Sequence, residues 1–380
     1  MANVKFMDYC RAIFAPFIQL ADLPSEPPKL KTAPLGTEAL EYQGPILNSL
    51  HALGKPVLLG GNSFLLRART DDNIYFYINT DGLSVDETFR LHEFMGDMQA
   101  EKVDPLECHF MFVSLNMSGT YRIKKDFRRK DYARDMISAA NISNYDGHDI
   151  NTMMEMFEEY AIYRTDIDKE YLANNNWYLP TKIALNHECY RSQVASERIC
   201  LALSKLSDLV VDDLENIYNA LTSTHLSQMY LEIYRYLENL FALPWGVEIK
   251  RSLGVAAPAV VIALECRKSL QWKAREDDSI RALFALAGLE ELLAAGANKV
   301  KNFSDILGSE EKEDKSRTIG RRIYKIRNML VHKEDFDDKA PLDLKEAIDE
   351  DIICFMVNIC THLYGNFGAE ISRLRDRDVA

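Results

Sequence analysis

Apolar positions fall into two regimes along the chain. Between Pro56 and about Leu185 they come in short runs rich in aromatic and β-branched residues: Val57-Leu58-Leu59, Phe64-Leu65-Leu66 and Ile74-Tyr75-Phe76-Tyr77-Ile78. Gly60-Gly61-Asn62 and Asp71-Asp72-Asn73 separate them, and such runs between turn residues predict strands. His109 to Leu115 and Thr120 to Ile123 predict a hairpin around Asn116-Met117-Ser118-Gly119. Ser84, with Glu87 three positions on, predicts a capping box and a short helix to about Met98. Arg128 to Ala140 and Asp149 to Tyr163 read as further helices, with Asp146-Gly147-His148-Asp149 as a cap. Ahead of this region, Met1 to Leu53 is a Pro-rich lead-in after one helix-like segment.

From about His187 the period changes to that of helices. Leu226, Met229, Tyr230, Ile233, Tyr234, Leu237, Leu240 and Phe241 form one stripe, predicting a helix from about Leu226 to Leu243, stopped by Pro244. Ala256 to Ser269 and Asp278 to Ala295 follow, the second ending at Gly296. The acidic loop Glu310 to Asp314 precedes another helix, in which Ile319, Ile323, Ile326 and Leu330 recur at spacings of four, three and four. A charged loop, Lys333 to Pro341, leads to an apolar helix from Leu344 to about Tyr364, with Ile348, Ile352, Phe355, Ile359 and Leu363 inward. The expected architecture is an α+β domain over residues 1–185 followed by an all-α helical bundle over 186–380.

Length supports two domains rather than one core. The longest apolar run, Gly254 to Leu264, contains Pro258 and falls short of the ~20 residues a membrane span needs. The first residues carry no basic segment followed by a long apolar run, so no secretory signal is expected. Seven cysteines without a C-x-x-C pair suggest a reducing, cytoplasmic setting and argue against a zinc knuckle. Net charge is −13, so the chain lacks the global basic footprint of a nucleic-acid binder, and contact with such a ligand must be local. Two basic clusters qualify: Arg122, Lys124, Lys125, Arg128, Arg129 and Lys130, and Lys315, Arg317, Arg321, Arg322, Lys325 and Arg327. Each can equally be a solvated face.

No catalytic constellation stands out in the first half. Gly60-Gly61-Asn62 lacks the Gly-Lys-Ser/Thr of a phosphate loop, and His92, His109 and His148 lie in separate segments. In the second half the six residues Arg327-Asn328-Met329-Leu330-Val331-His332 join fixed positive charge, an amide and a titratable imidazole on one helix. Asn328 and His332 are four apart and share a face, whereas Arg327 lies about 140° from His332 on an ideal helix. A long side chain or a loosened helix end must bring the two together.

This stretch resembles the R-x4-H signature of the HEPN superfamily of helical domains, many of which are ribonucleases of toxins, phage-defence systems and CRISPR effectors. The usual form has a polar residue directly after the Arg, as Asn328 is here. The resemblance covers roughly Glu188 to Gly368. It implies a small bundle with the motif late in the domain and a long closing helix behind it. It also implies a metal-independent endoribonuclease without a cofactor, acting on RNA in a prokaryotic anti-phage or toxin-like role. Arg327, His332 and Asn328 are then the catalytic residues, and Arg321, Arg322 and Lys325 contact RNA. Glu238, at the edge of the apolar stripe, is the candidate for holding Arg327, because an acidic residue of an early family helix often sits near the motif.

The chemistry fits these residue types. RNA supplies its own nucleophile, the 2′-hydroxyl, so cleavage needs a base, an acid and positive charge at phosphorus. An imidazole near neutral pKa serves the first two and a guanidinium the third. One motif histidine per chain cannot serve as base and acid at once, which implies a homodimer with a composite site. His362 belongs to the closing helix and is expected to pack. The N-terminal domain is expected to sense a trigger or partner protein and restrain the nuclease. The alternative is a catalytically silent HEPN-like helical module that binds a partner protein, nucleotide or RNA, in which Arg327 makes surface ion pairs. A nucleotidyltransferase lacks support, because no paired-Asp signature follows a Gly-Ser turn.

Overall fold

Asp71-Asp72-Asn73 turns the chain through a Thr70 N–H bond to the Asn73 carbonyl (2.8 Å), and the two apolar runs beside it pair as antiparallel strands. The structure is a computed structural model, and it describes residues 14–21, 49–59, 63–103, 122–138, 146–211, 213–270, 275–310, 314–332 and 348–378. The chain parts into two compact units, Met1–Tyr190 and Arg191–Ala380. The first is built on an antiparallel sheet and the second is helical, an α+β region followed by an all-α region. Among the described residues no helix is long and apolar enough to cross a membrane.

The sheet of the first unit holds β1 (His51–Ala52), β2 (Val57–Leu58), β3 (Phe64–Arg69), β4 (Ile74–Asn79), β5 (Glu101–Val103) and β6 (Tyr160–Thr165). Its order is β1-β3-β4-β6-β5, with β2 also on β3. Besides a helical stretch over 14–21, the described residues include α1 (Val85–Asp97), α2 (Lys130–Ser138), α3 (Ile150–Glu155), α4 (Lys169–Asn174) and α5 (Tyr178–Asn186). Phe64, Leu66, Ala68, Tyr75, Tyr77, Tyr160 and Ile162 share one face and pack with Phe14, Phe17, Ile137, Met153 and Phe157. The opposite face carries Arg67, Phe76 and Tyr163 in one row. Arg67 is buried, and its guanidinium donates to the carbonyls of Leu172 (2.7 Å) and Asn175 (3.1 Å) and to the Asn176 side chain. Those bonds offset the desolvation that lowers its pKa.

The Ser84–Glu87 capping box is present at the start of α1. The helix expected over Asp149 to Tyr163 is corrected. Asp149 caps a helix that ends at Glu155, and Tyr160 to Thr165 is a strand between β4 and β5. Both of its faces are covered, so the alternation that marks a half-exposed strand is missing from its sequence. The expected hairpin lies outside the described residues, apart from Arg122 and Ile123, the second of which bridges Phe157.

The second unit contains α6 (Glu197–Ser207), α7 (Glu215–Thr222), α8 (Leu226–Asn239), α9 (Leu243–Leu253), α10 (Ala259–Leu270), α11 (Glu276–Ala287), α12 (Leu289–Ala294), α13 (Ser304–Gly308), α14 (Lys315–His332) and α15 (Glu350–Asp378). Pro244 does not stop α8, which ends at Asn239; it sits in the first turn of α9, where its missing N–H costs no hydrogen bond. The single helix expected from Asp278 to Ala295 is broken at Gly288, whose φ of 84° and ψ of 152° no helix accommodates. α15 begins at Glu350 and runs to Asp378, past the expected end at Tyr364, and Ile348, Ile352, Phe355, Ile359 and Leu363 are buried. Residues 344–347 of that expectation lie outside the described residues. α15 is also buried at Ile353, Met356, Val357 and Cys360, so it is apolar on most sides and packs against α6, α8 and α10.

α14 packs most extensively on α11. Gly320 makes this approach possible, since a Cβ there would stand 3.0 Å from the Ile280 carbonyl and 3.1 Å from Phe284 Cβ. Ile319, Ile323 and Ile326 are fully buried, and the Tyr230 hydroxyl donates to the Ile323 carbonyl (2.8 Å), tying α8 to α14.

Candidate functional site

Arg327 sits in the last two turns of α14, where α8 and α11 both approach. Its Nη2 is 3.5 Å from Glu238 Oε1 of α8, and its Nη1 is 3.7 Å from Glu276 Oε2 at the first position of α11. Nη1 also donates to Asn328 Oδ1 (3.0 Å), and the guanidinium carbon lies 5.9 Å from the centre of the Tyr234 ring. Only 18% of the Arg327 side chain is exposed, so its charge is fixed in a partly dry setting. The stripe of α8 explains why: buried Tyr234 faces the core and Glu238, one turn on, comes out at its edge.

Burial pushes the Glu238 carboxyl above its ordinary range, and the Arg327 charge pulls it back. The Tyr234 hydroxyl is buried and has no hydrogen-bond partner among the described residues. Burial raises its pKa, with the Glu238 charge adding to the effect, so it stays a neutral donor.

α14 stays helical through His332, so the helix end does not loosen before the motif closes. The His332 side chain lies outside the described residues. By helical spacing, Arg321, Lys325, Asn328 and His332 stand at intervals of four, three and four and share one face. Position 321 is exposed and positions 325 and 328 are half-exposed. Arg327 lies off this row, on the side facing α8 and α11.

The candidate RNA-contacting residues divide. Arg321 has no ion-pair partner among the described residues and is exposed. Arg322 is engaged instead: it meets Asp305 Oδ2 at 2.9 Å and donates to the Asn302 carbonyl (3.1 Å). In the other basic cluster, Arg128 pairs with Glu158 (2.7 Å) and Lys124 with Glu159 (3.1 Å). His362 pairs with Glu291 at 3.4 Å and bonds with Asn366 (3.1 Å).

Two features escaped the sequence reading. Glu276 is the first residue of α11, which begins two residues ahead of the expected start at Asp278. In the first unit His92 of α1, Lys102 of β5 and Tyr163 of β6 converge from three separate elements. Lys102 Nζ is 3.0 Å from His92 Nε2, and His92 Nδ1 bonds with the Tyr163 hydroxyl. Burial, then the Lys102 charge, holds His92 below its ordinary pKa, and a neutral imidazole satisfies both contacts. Tyr163 is fully buried, so the cluster ties α1 to the sheet. Among the described residues no group of three or more His, Cys, Asp or Glu side chains could hold a metal ion.

No protein-family model, curated protein or solved structure matches the chain.

Proposed function

We propose that the chain is an endoribonuclease of HEPN type that cleaves RNA without a metal ion, in the cytoplasm, in an anti-phage or toxin-like role. The observation that carries this reading is the fixing of Arg327 by carboxylates from two helices at the end of α14, five residues before His332. A guanidinium whose position is set before substrate arrives stabilises developing phosphorane charge without reorganising. The row Arg321, Lys325, Asn328 and His332 offers cationic, amide and imidazole groups along one face, a track suited to a phosphate backbone.

In this mechanism His332 takes the proton of the 2′-hydroxyl, and that oxygen attacks phosphorus while the 5′-oxygen leaves. A second imidazole protonates the leaving oxygen, and His332 of a second copy of the chain supplies it. The separation of about 140° between Arg327 and His332 on a regular helix supports a site shared by two chains, where each guanidinium serves the other's imidazole. The first unit then acts on a trigger or partner protein and restrains the second.

The same ion pairs support a second reading. A mostly buried arginine held by two carboxylates is also what a structural joint needs, and a silent module binding a partner protein, nucleotide or RNA would keep it. Incubating purified protein with end-labelled RNA in EDTA separates the two. The nuclease yields products with 2′,3′-cyclic or 3′-phosphate ends; a strict Mg²⁺ requirement with 3′-hydroxyl products, or no cleavage at all, overturns it.

A further inference from the structure

A cavity of about 830 Å³ opens between α9, α11 and the start of α14, and it is lined by residues other than those of the Arg327 site. Among the described residues four guanidinium groups line it: Arg251 from α9, Arg275 at the cap of α11, Arg281 from α11 and Arg317 from α14. Among the described residues two carboxylates, Glu248 and Asp278, face the same space, so the described lining is net positive in a chain that is net negative. Pro244, Trp245 and Leu286 give it an apolar wall. The volume is that of a small-molecule site.

Three of the arginines lean on neighbours of their own helix or its entry. Arg251 meets Glu248 at 2.8 Å, Arg281 meets Asp277 at 3.9 Å, and Arg317 meets Asp314 at 3.4 Å. Arg275 has no ion-pair partner among the described residues. Partly exposed pairs of this kind are weak, so a dianion can displace them at little cost. Arg251 donates to both Glu248 oxygens, whereas the carboxylates near Arg281 and Arg317, at 3.9 and 3.4 Å, leave donors that a phosphate can take as paired hydrogen bonds. Phosphate alone would leave the Trp245 wall uncovered, and burying that wall calls for a flat apolar group on the same ligand.

We infer that this cavity binds a small phosphate ester with a flat, apolar body, the phosphate held by Arg281 and Arg317 and the body against Trp245. The inference is independent of RNA cleavage, since Arg327 does not line the cavity.

Calorimetry on the full chain with 1-naphthyl phosphate, inorganic phosphate and 1-naphthol tests it. The ester binds one per chain and at least about tenfold tighter than either half-ligand. Arg281→Gln combined with Arg317→Gln weakens the ester at least about tenfold, two charge-assisted contacts being lost. Trp245→Leu brings the ester toward the affinity of inorganic phosphate. Arg198→Gln, which removes a guanidinium paired with Asp351 away from the cavity, changes nothing. Circular dichroism confirms that each variant is folded. No binding of the ester, equal binding by the double variant, or 1-naphthol binding as tightly as the ester overturns the inference.

Discussion

Arg327 Nη2 stands 3.5 Å from Glu238 Oε1, an ion pair between residues 89 positions apart in the chain. It joins α14 to α8 at the point where the motif begins, and Glu276 adds a second carboxylate from α11 at 3.7 Å. Two anchors on a partly buried guanidinium fix its direction as well as its charge.

Arg327→Ala and His332→Ala are each expected to abolish RNA cleavage by about 10²- to 10⁴-fold while the protein stays folded. Arg327→Lys should fare little better, because an ammonium cannot present paired donors. Product analysis on denaturing gels checks this. Near wild-type cleavage by folded His332→Ala ends the catalytic assignment.

Glu238→Gln separates positioning from stability. The carboxyl carries a desolvation cost that raises its pKa, so the amide should leave the melting temperature unchanged or raise it. Among the described residues Arg327 then keeps Glu276 as its ionic anchor. Loss of alignment should lower kcat about tenfold or more with little change in KM. Unaltered kcat would show that Glu238 does not position Arg327 for catalysis.

Three histidines of the first unit make its stability pH-dependent. Burial holds His92, His148 and His187 below the ordinary value of 6.5, with the Lys102 charge adding to the effect at His92 and that of Arg90 at His187. The unfolded chain therefore takes up protons near pH 6.5 while the folded unit does so only at lower pH. Between those values the unfolded state binds more protons, so stability falls as pH drops below about 6.5 and is fully present above it. His187 Nε2 is buried with no partner among the described residues, so protonating it there is unfavourable. Thermal unfolding from pH 7.5 to 5.5 should show the decline, and His187→Gln should flatten it. A melting temperature that rises on acidification contradicts the sign.

Glycine at two helix contacts is required by space. At Gly246 a Cβ would meet the Ala259 carbonyl at 2.1 Å, a backbone atom that cannot yield without moving α10. At Gly320 the nearest contacts are 3.0 to 3.2 Å, from α11. Gly320→Ala should cost about 1–3 kcal/mol and Gly246→Ala more. Chemical denaturation measures both, and a neutral Gly246→Ala would refute the close contact.

The shared site is tested by mixing. A tagged heterodimer of wild type with His332→Ala should be crippled, since one imidazole cannot act as base and acid together. Activity close to half that of wild type indicates independent sites.

Local pattern was enough for much of this fold. Ser84 and Glu87 announce α1 because both partners of a capping box lie within one turn. The α8 stripe and the row Ile319, Ile323 and Ile326 name the buried faces, because burial of a helix repeats with its own period. The change from short β-rich runs to helical spacing carries the α+β and all-α division. What needed tertiary structure depends on partners distant in sequence. Tyr160 to Thr165 becomes a strand because β4 offers it a full ladder, and burial on both faces erases its alternation. Pro244 opens α9 instead of ending α8, and Gly288 breaks a run that periodicity alone would continue. At the candidate site the sequence supplies Arg327, Asn328 and His332 on one helix, with Glu238 at the edge of another. That Glu276 joins them follows from α11 running opposite to α14, so that Gly320 lies against Ile280 and Phe284 while Arg327 reaches the first turn. Spacing along a helix determines which face is buried; which foreign side chain meets that face is decided by how whole helices pack.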